Sequence, residues 1–355
     1  MPYFVDKAGL AADAGLRRQH QFIANSRQAN WDHETALMQA NGLQVNEARI
    51  PADVWRDFDT QIKTLMLSDE GGVLLNDLAP LSRNVNIGKI VSEYRRYGAD
   101  ELEVRSSIDG QHAKPVNHTS YDYDGALVLV HSTQVGRNWR ELEGMRSEGY
   151  DALLDDQAVA VRYVRRRMAD DFTNGTANLT YRGYASYGIK SHPNTLALNL
   201  GSQNGGLNTD LTSNTLTYQQ AYNVFVGALK VMQGNGNNAV GNVTFYLSDD
   251  IWFNLLRLRN PNGDTTETIL AALMRIPGVA GFKRTDALSG NEFLGIILSS
   301  EYIRPIMGMP VTTTPIARRT PMDDWHVLVW SASGLQVKAD AQGRSGVLYA
   351  ADTDS

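Results

Sequence analysis

The chain has 355 residues, 42% of them hydrophobic and 20% charged, enough to bury a core in one large or two ordinary domains and too apolar for global disorder. A net charge of −6 argues against a dedicated nucleic-acid binder with a basic surface, and the absence of cysteine excludes disulfides, thiol catalysis and cysteine metal sites. The N-terminal stretch MPYFVDKAGLAADAGLRRQ lacks the apolar core of a signal peptide, and no window is an uninterrupted apolar span, so a soluble protein made in the cytoplasm is expected, with no membrane partner.

Residues 1–50 are polar and rich in Gln, Asn and Ala. LRRQHQFIANSRQANWDHETALMQA has no clean apolar stripe and reads as an arm that is disordered or gains order only on a neighbour's surface. Pro51 opens a predicted helix that places Trp55, Phe58, Ile62 and Leu65 on one face and stops at Gly71-Gly72. VLLNDL, from Val73 to Leu78, reads as a short strand.

From residue 83 to 131 the pattern is that of a charged β-hairpin, with Ile90, Ser92 and Tyr94 alternating against Val91, Glu93 and Arg95. Gly98 and Asp109-Gly110 mark turns. Charge on both faces leaves little to bury within one subunit, so this hairpin is expected to lie across another molecule. The residues expected at that contact are Lys89, Glu93, Arg95, Arg96, Glu101, Glu103 and Arg105.

The stretch Arg137 to Gly175 contains no proline and repeats apolar residues at Leu153, Val161, Val164, Met168 and Phe172, which predicts a long helix ending at Asn174-Gly175. Its firmest part, Tyr150 to Phe172, spans roughly 35 Å at about 1.5 Å per residue. Gly144 and Gly149 mark where it should begin or bend. LTYRGYASYGIKSHPNT is extended, and 197–217 is a loop of Gly, Asn, Ser and Thr. Tyr218 starts a helix with Ala221, Val224, Phe225, Ala228, Leu229 and Met232 inward. VTFYLS and FLGIILS are buried strands, IWFNLLRLR (with Ser248 or Asp249 as cap) and TETILAALMRI are helices, and together they form a compact α/β module over about 197–300. YIRPIMGMPVTT is extended, and the tail from Trp325 is expected to return as strands beside the long helix.

Chemical motifs are weak. GNGNNA at 234–239 follows a helix and precedes a strand, the reverse of a dinucleotide-binding turn, and reads as a plain loop. None of the seven histidines has a short metal-ligand spacing; His112 and His118 bracket a loop and could meet in space, but surface histidines explain them. The doublets Asp155-Asp156, Asp170-Asp171, Asp249-Asp250 and Asp323-Asp324 diverge by about 100° when adjacent on a helix and read as faces and caps. Arg165-Arg166-Arg167 is the densest basic run; a solvated face with Arg166 and Arg167 four residues before Asp170 and Asp171 competes with a phosphate or partner contact.

The order of elements is more informative than any motif. YDYDGALVLVHS at 121–132, RNWRELEGMRSEGYD at 137–151, and DDFTNG through GYASYGIKSHPN at 170–194 resemble the tailed-phage major capsid protein family, whose fold is shared with encapsulin shells. The resemblance covers roughly 50–355 and implies an α+β fold. It implies an N-terminal arm at 1–50 and a peripheral domain at 51–82 and 132–196, built on a spine helix of about 137–175. It further implies an extended β-hairpin loop at 83–131, an α/β axial domain at 197–300, and a return to the peripheral domain at 301–355. It implies no enzymatic activity, no cofactor, and self-assembly into hexamers and pentamers of an icosahedral virion shell around double-stranded DNA held by non-specific contact. Scaffolding, portal and decoration proteins are further implied partners. Some family members cross-link a loop Lys to an Asn; Lys89 and Lys114 lie in or beside the hairpin, but no Asn partner is identified and no cross-link is expected. An encapsulin-type compartment is the alternative within the same fold, and a soluble metal-dependent hydrolase using His112 and His118 is the alternative from a different class.

Overall fold

The computed structural model describes residues 71–97, 108, 121–147, 149, 151–203, 205–234, 236–260 and 266–352, with single positions between 15 and 33. The chain divides into two units, 1–66 and 67–355. In the first, the described positions, Phe22 and Asp32 among them, are helical and exposed. The predicted helix after Pro51 lies outside the described residues.

In chain order the second unit begins with helix α1 (Gly72–Leu78) and strands β1 (Arg83–Asn84), β2 (Val91–Tyr97), β3 (Tyr121–Leu127) and β4 (Leu129–Arg137). Helices α2 (Trp139–Ser147) and α3 (Ala152–Thr173) follow, then β5 (Gly175–Tyr181), β6 (Tyr184–Tyr187) and β7 (Leu196–Asn199). Next come α4 (Tyr218–Gln233), β8 (Val243–Leu247), α5 (Asp249–Leu255), α6 (Ile269–Leu273), β9 (Val279–Arg284) and β10 (Phe293–Ile297). The chain closes with β11 (Ile303–Pro315), β12 (Trp325–Val337) and β13 (Val347–Ala351).

Two sheets organise this unit. The five-stranded sheet has the order β7-β13-β10-β8-β9, with β10 antiparallel to both neighbours and the outer pairs β7/β13 and β8/β9 parallel. Its central strands are fully buried, as continuous apolar runs require when both faces are covered. Helix α4 lies on one face; all six of its predicted inward residues are buried, and Thr217 with Gln220 closes a reciprocal capping box at its start. Ser248 caps α5 and Thr268 caps α6. At the centre, the Phe225 ring meets those of Phe245, Phe282 and Phe293 at centroid distances of 5.1, 5.0 and 5.3 Å. Each such ring contributes roughly 1.5–3 kcal/mol by leaving water.

The four-stranded sheet has the order β1-β11-β12-β4, and α3 packs on one face through Ala160, Val164, Met168 and Phe172. The expected single helix over 137–175 is two helices. Gly149 has φ 92°, a left-handed conformation that breaks the helix, and Asp151 then restarts it by accepting the Leu153 N–H. VLLNDL is helical rather than a strand: Leu74 and Leu78, one turn apart, both enter the core. The tail also divides. β12 runs beneath the spine helix as expected, but β13 crosses to the five-stranded sheet between β7 and β10. Leu74, Leu78, Phe172, Tyr246, Leu294 and Leu335 share one cluster that joins the two sheets. Asp77 reinforces the junction by accepting from the Tyr246 hydroxyl at 2.6 Å and from Lys283 Nζ at 2.6 Å.

Candidate assembly hairpin and its anchor

The pair β2–β3 forms a separate two-stranded ladder in uninterrupted antiparallel register from Val91↔Leu127 to Tyr97↔Tyr121. A two-stranded ladder alone is marginal in water, so its root must be held by the body. Gly334 on β12 allows this: a Cβ there would collide with the Leu127 carbonyl, so the hairpin meets the sheet backbone to backbone. Beside it, Gln336 Nε2 donates to the Ser92 carbonyl at 2.7 Å.

Asp124 is the hub of the anchor. Its Oδ2 accepts the Tyr94 hydroxyl at 3.0 Å and Asn194 Nδ2 at 3.0 Å, and the same Asn194 amide donates to the Val337 carbonyl at 3.0 Å. Burial, aided by the Asp124 charge, pushes the Tyr94 hydroxyl above the ordinary tyrosine range, so it stays protonated as a donor while it accepts the Ala339 N–H. Asn194 is aimed by the turn before it, where His192 Nδ1 accepts the Asn194 N–H at 3.1 Å and the imidazole stands edge-on to Tyr187. Burial pushes the His192 pKa down to about 4 against the opposing pull of Asp124, so the ring is neutral at pH 7.

Several expected contact residues have partners inside this chain. Arg96 pairs with Asp122 directly opposite on β3, Nε to Oδ2 at 2.8 Å. Glu93 accepts the Tyr184 hydroxyl at 3.1 Å, and the Arg95 guanidinium lies 5.9 Å from the Tyr121 ring centroid. Lys89 is exposed in the turn before β2. Glu101, Glu103, Arg105, His112, Lys114 and His118 lie outside the described residues. The outer part of the hairpin is apolar as well as charged: Tyr97, Tyr121 and Tyr123 are 70%, 56% and 56% exposed.

On the spine helix, Arg165 reaches Asn76, Arg166 is half-buried, and Arg167 pairs with Asp170 three residues on while also donating to Thr176. Asp171 is not a surface partner of the arginine run. It is 3% exposed, accepts the hydroxyls of Thr176 and Ser186, and stands 3.9 Å from His131 Nε2. Burial, with Arg167 nearby, holds His131 below its ordinary value although Asp171 pulls it upward, so the contact joins a neutral imidazole to a carboxylate. The anchor residues Asp124, Asn194 and Gln336 were not singled out by sequence patterning. Asp171 carried a readable signal, standing three residues after Met168 and seven after Val164 on the apolar stripe.

Among the described residues, no group of three or more His, Cys, Asp or Glu is placed to hold a metal ion, and no helix is long and apolar enough to cross a membrane.

A spine helix on a four-stranded sheet, a separate two-stranded ladder and an α/β module on a second sheet together make the phage major capsid fold. The capsid of Myoviridae phage XM1 superposes with a TM-score of 0.64 at 14% identity, covering 86% of this chain and 100% of that one. A Mycobacterium phage Bobi structure gives 0.54 at 11% identity over 88% and 100% of the two chains. The capsid of a native GTA particle gives 0.54 at 10% identity over 86% and 99%. Where these structures are named for a function they are capsids, not enzymes. The chain belongs to DUF6260, a family of unknown function whose model matches residues 39–350. Comparison with curated proteins gives no match.

Proposed function

We propose that this chain is the major capsid protein of a tailed phage, assembling into hexamers and pentamers of an icosahedral shell that encloses double-stranded DNA. The observation that carries this reading is the hairpin: a two-stranded ladder fixed at its root and presenting three exposed tyrosines beyond it, on a body with the capsid fold. Such a strand pair gains from burial against a second copy, and contacts between unlike surfaces that close by rotation make rings. The four-stranded sheet with α3 is the peripheral domain in this reading, and the module on the five-stranded sheet, including β7 and β13, is the axial domain. An acidic chain holds packaged DNA without gripping it. Assembly takes place in the host cytoplasm, and the protein ends in the virion.

Electron microscopy of the expressed protein is expected to show uniform icosahedral shells. A monodisperse monomer under all assembly conditions overturns the reading, and shells that hold an enzyme and no DNA transfer it to a protein compartment. Reversing Glu93, Arg95 and Arg96 together is expected to abolish shells while leaving the far-UV spectrum of the subunit unchanged.

A further inference from the structure

The two strands of the hairpin leave unlike edges. The Val128 N–H donates to the Ile90 carbonyl at 2.8 Å, and with the register Val91↔Leu127 this makes the even-numbered pairs, such as Ser92 with Ala126 and Tyr94 with Asp124, the ones that exchange main-chain bonds. The odd-numbered residues therefore turn their N–H and C=O groups outward on both strands. On β3 the outward donors are stoppered within the chain: the Tyr123 N–H donates to Asp122 Oδ1 and the Gly125 N–H to Asp124 Oδ1, each at 2.8 Å. On β2 the outward residues are Val91, Glu93, Arg95 and Tyr97, and among the described residues none of their main-chain groups has a partner on that side. Glu93, Arg95 and Tyr97 are exposed, and the stretch Tyr94 to Tyr97 borders an open cleft of about 630 Å³, so the described body does not lie against this edge. An unpaired edge of this kind is a template for a further strand.

We infer that β2 pairs along this edge with β2 of a second copy, antiparallel about a two-fold axis at Tyr94, so that Glu93 of each copy stands opposite Arg95 of the other. Side-chain charge selects this register. Outward groups must meet outward groups, and the next register that allows it in one direction sets Glu93 against Glu93, while the next in the other direction sets Arg95 against Arg95. Like charges directly opposite are destabilising, and opposite charges are favourable. In the register centred on Tyr94 both charge pairs are of opposite sign, and Tyr97 faces Val91 of the other copy, an aromatic with a β-branched residue. A strand that meets itself in this way gains each pair twice, the self-complementarity of an isologous contact. Glu93 holds the Tyr184 hydroxyl on Oε1 and has Oε2 to offer the incoming guanidinium. The inference rests on the shell reading for the crowding that brings copies together, and the test separates the two.

Reversal of charge tests the register. Glu93→Arg alone and Arg95→Glu alone each set like charges opposite and are expected to lower assembly several-fold, whereas an equimolar mixture of the two variants has opposite signs at both positions and is expected to recover it. A mixture that assembles no better than either variant overturns the register. Both substitutions in one chain keep the opposition, so the loss expected of the triple reversal falls on Arg96, which then faces Asp122 and Asp124 as a like charge. The contact itself is read by disulfide formation, because the chain has no cysteine of its own. Subunits carrying Glu93→Cys are mixed with subunits carrying Arg95→Cys before assembly, oxidised and run without reductant, with each variant alone as control. Directly opposite residues of a bonded pair lie about 5.5 Å apart at Cα, within disulfide reach, whereas two copies of Glu93→Cys are diagonal neighbours at roughly 7–8 Å, beyond it. The mixture is expected to give roughly tenfold more cross-linked dimer than either variant alone. The measurement is made on assembled particles or, if none form, on concentrated subunits. The mixed disulfide without shells removes the shell reading and leaves the strand pairing; shells with equal yields in mixture and controls, or with no disulfide, overturn the pairing and leave the shell.

Discussion

Around Phe225 three other phenylalanine rings close within 5.3 Å, whereas around Tyr94 the neighbours are a carboxylate, an ammonium and a backbone amide. The first environment stabilises by removing area from water and tolerates no other arrangement. The second holds the hairpin by directional bonds, each worth about 1 kcal/mol, that can be exchanged for water or for a partner. One chain therefore carries a rigid module and an anchored but adjustable arm.

Substitutions can test this contrast from its strongest side to its weakest. Phe245→Ala should cost roughly 3–5 kcal/mol in urea denaturation by opening a cavity in the five-stranded module. A loss under about 1 kcal/mol would mean the module is less tightly packed than the ring contacts indicate.

Acid should act on the arm's side. His192 has a pKa of about 4 in the folded chain against an ordinary 6.5, so the unfolded chain binds its proton first as pH falls. The stability it contributes is complete above pH 6.5 and is lost on the way down to about pH 4, on the order of 3 kcal/mol. Tm measured against pH should fall more steeply over that window in wild type than in His192→Gln. Parallel curves would mean the ring is hydrated.

Asn194→Ala removes the link from Asp124 to the Val337 carbonyl and should cost about 1–2 kcal/mol. Amide exchange should quicken in β2 and β3 while β8 and β10 stay protected, and uniform loss would show the two regions to be one cooperative unit. Arg96→Ala deletes an ion pair whose carboxylate is largely in solvent and should leave the denaturation midpoint of the subunit unchanged.

The same contrast sets what could be read without coordinates. Helix α4 and the strands VTFYL and FLGII were legible because local apolar periodicity and burial agree there. The break at Gly149 was legible for a similar reason, since that residue alone among its neighbours accepts a left-handed backbone. VLLNDL was misread because six residues of mixed pattern fit a strand or a helix, and only tertiary burial of Leu74 and Leu78 decides. The crossing of β13 was out of reach because it depends on β7 and β10, remote in sequence. The anchor was hidden for the same reason: Asn194 meets Asp124 70 residues away and Val337 143 residues away.

Gly334 makes the hairpin a lever. Its pivot is the bare backbone contact with Leu127, and the strands run from there to Tyr97 and Tyr121 over seven residues, roughly 20 Å at about 3.3 Å each. A rotation of about 5° at the pivot carries the far end through about 2 Å, half the spacing between strands. The bonds around Asp124 act on the short side of that lever. Small changes of length there become larger displacements at the exposed tyrosines of the far end.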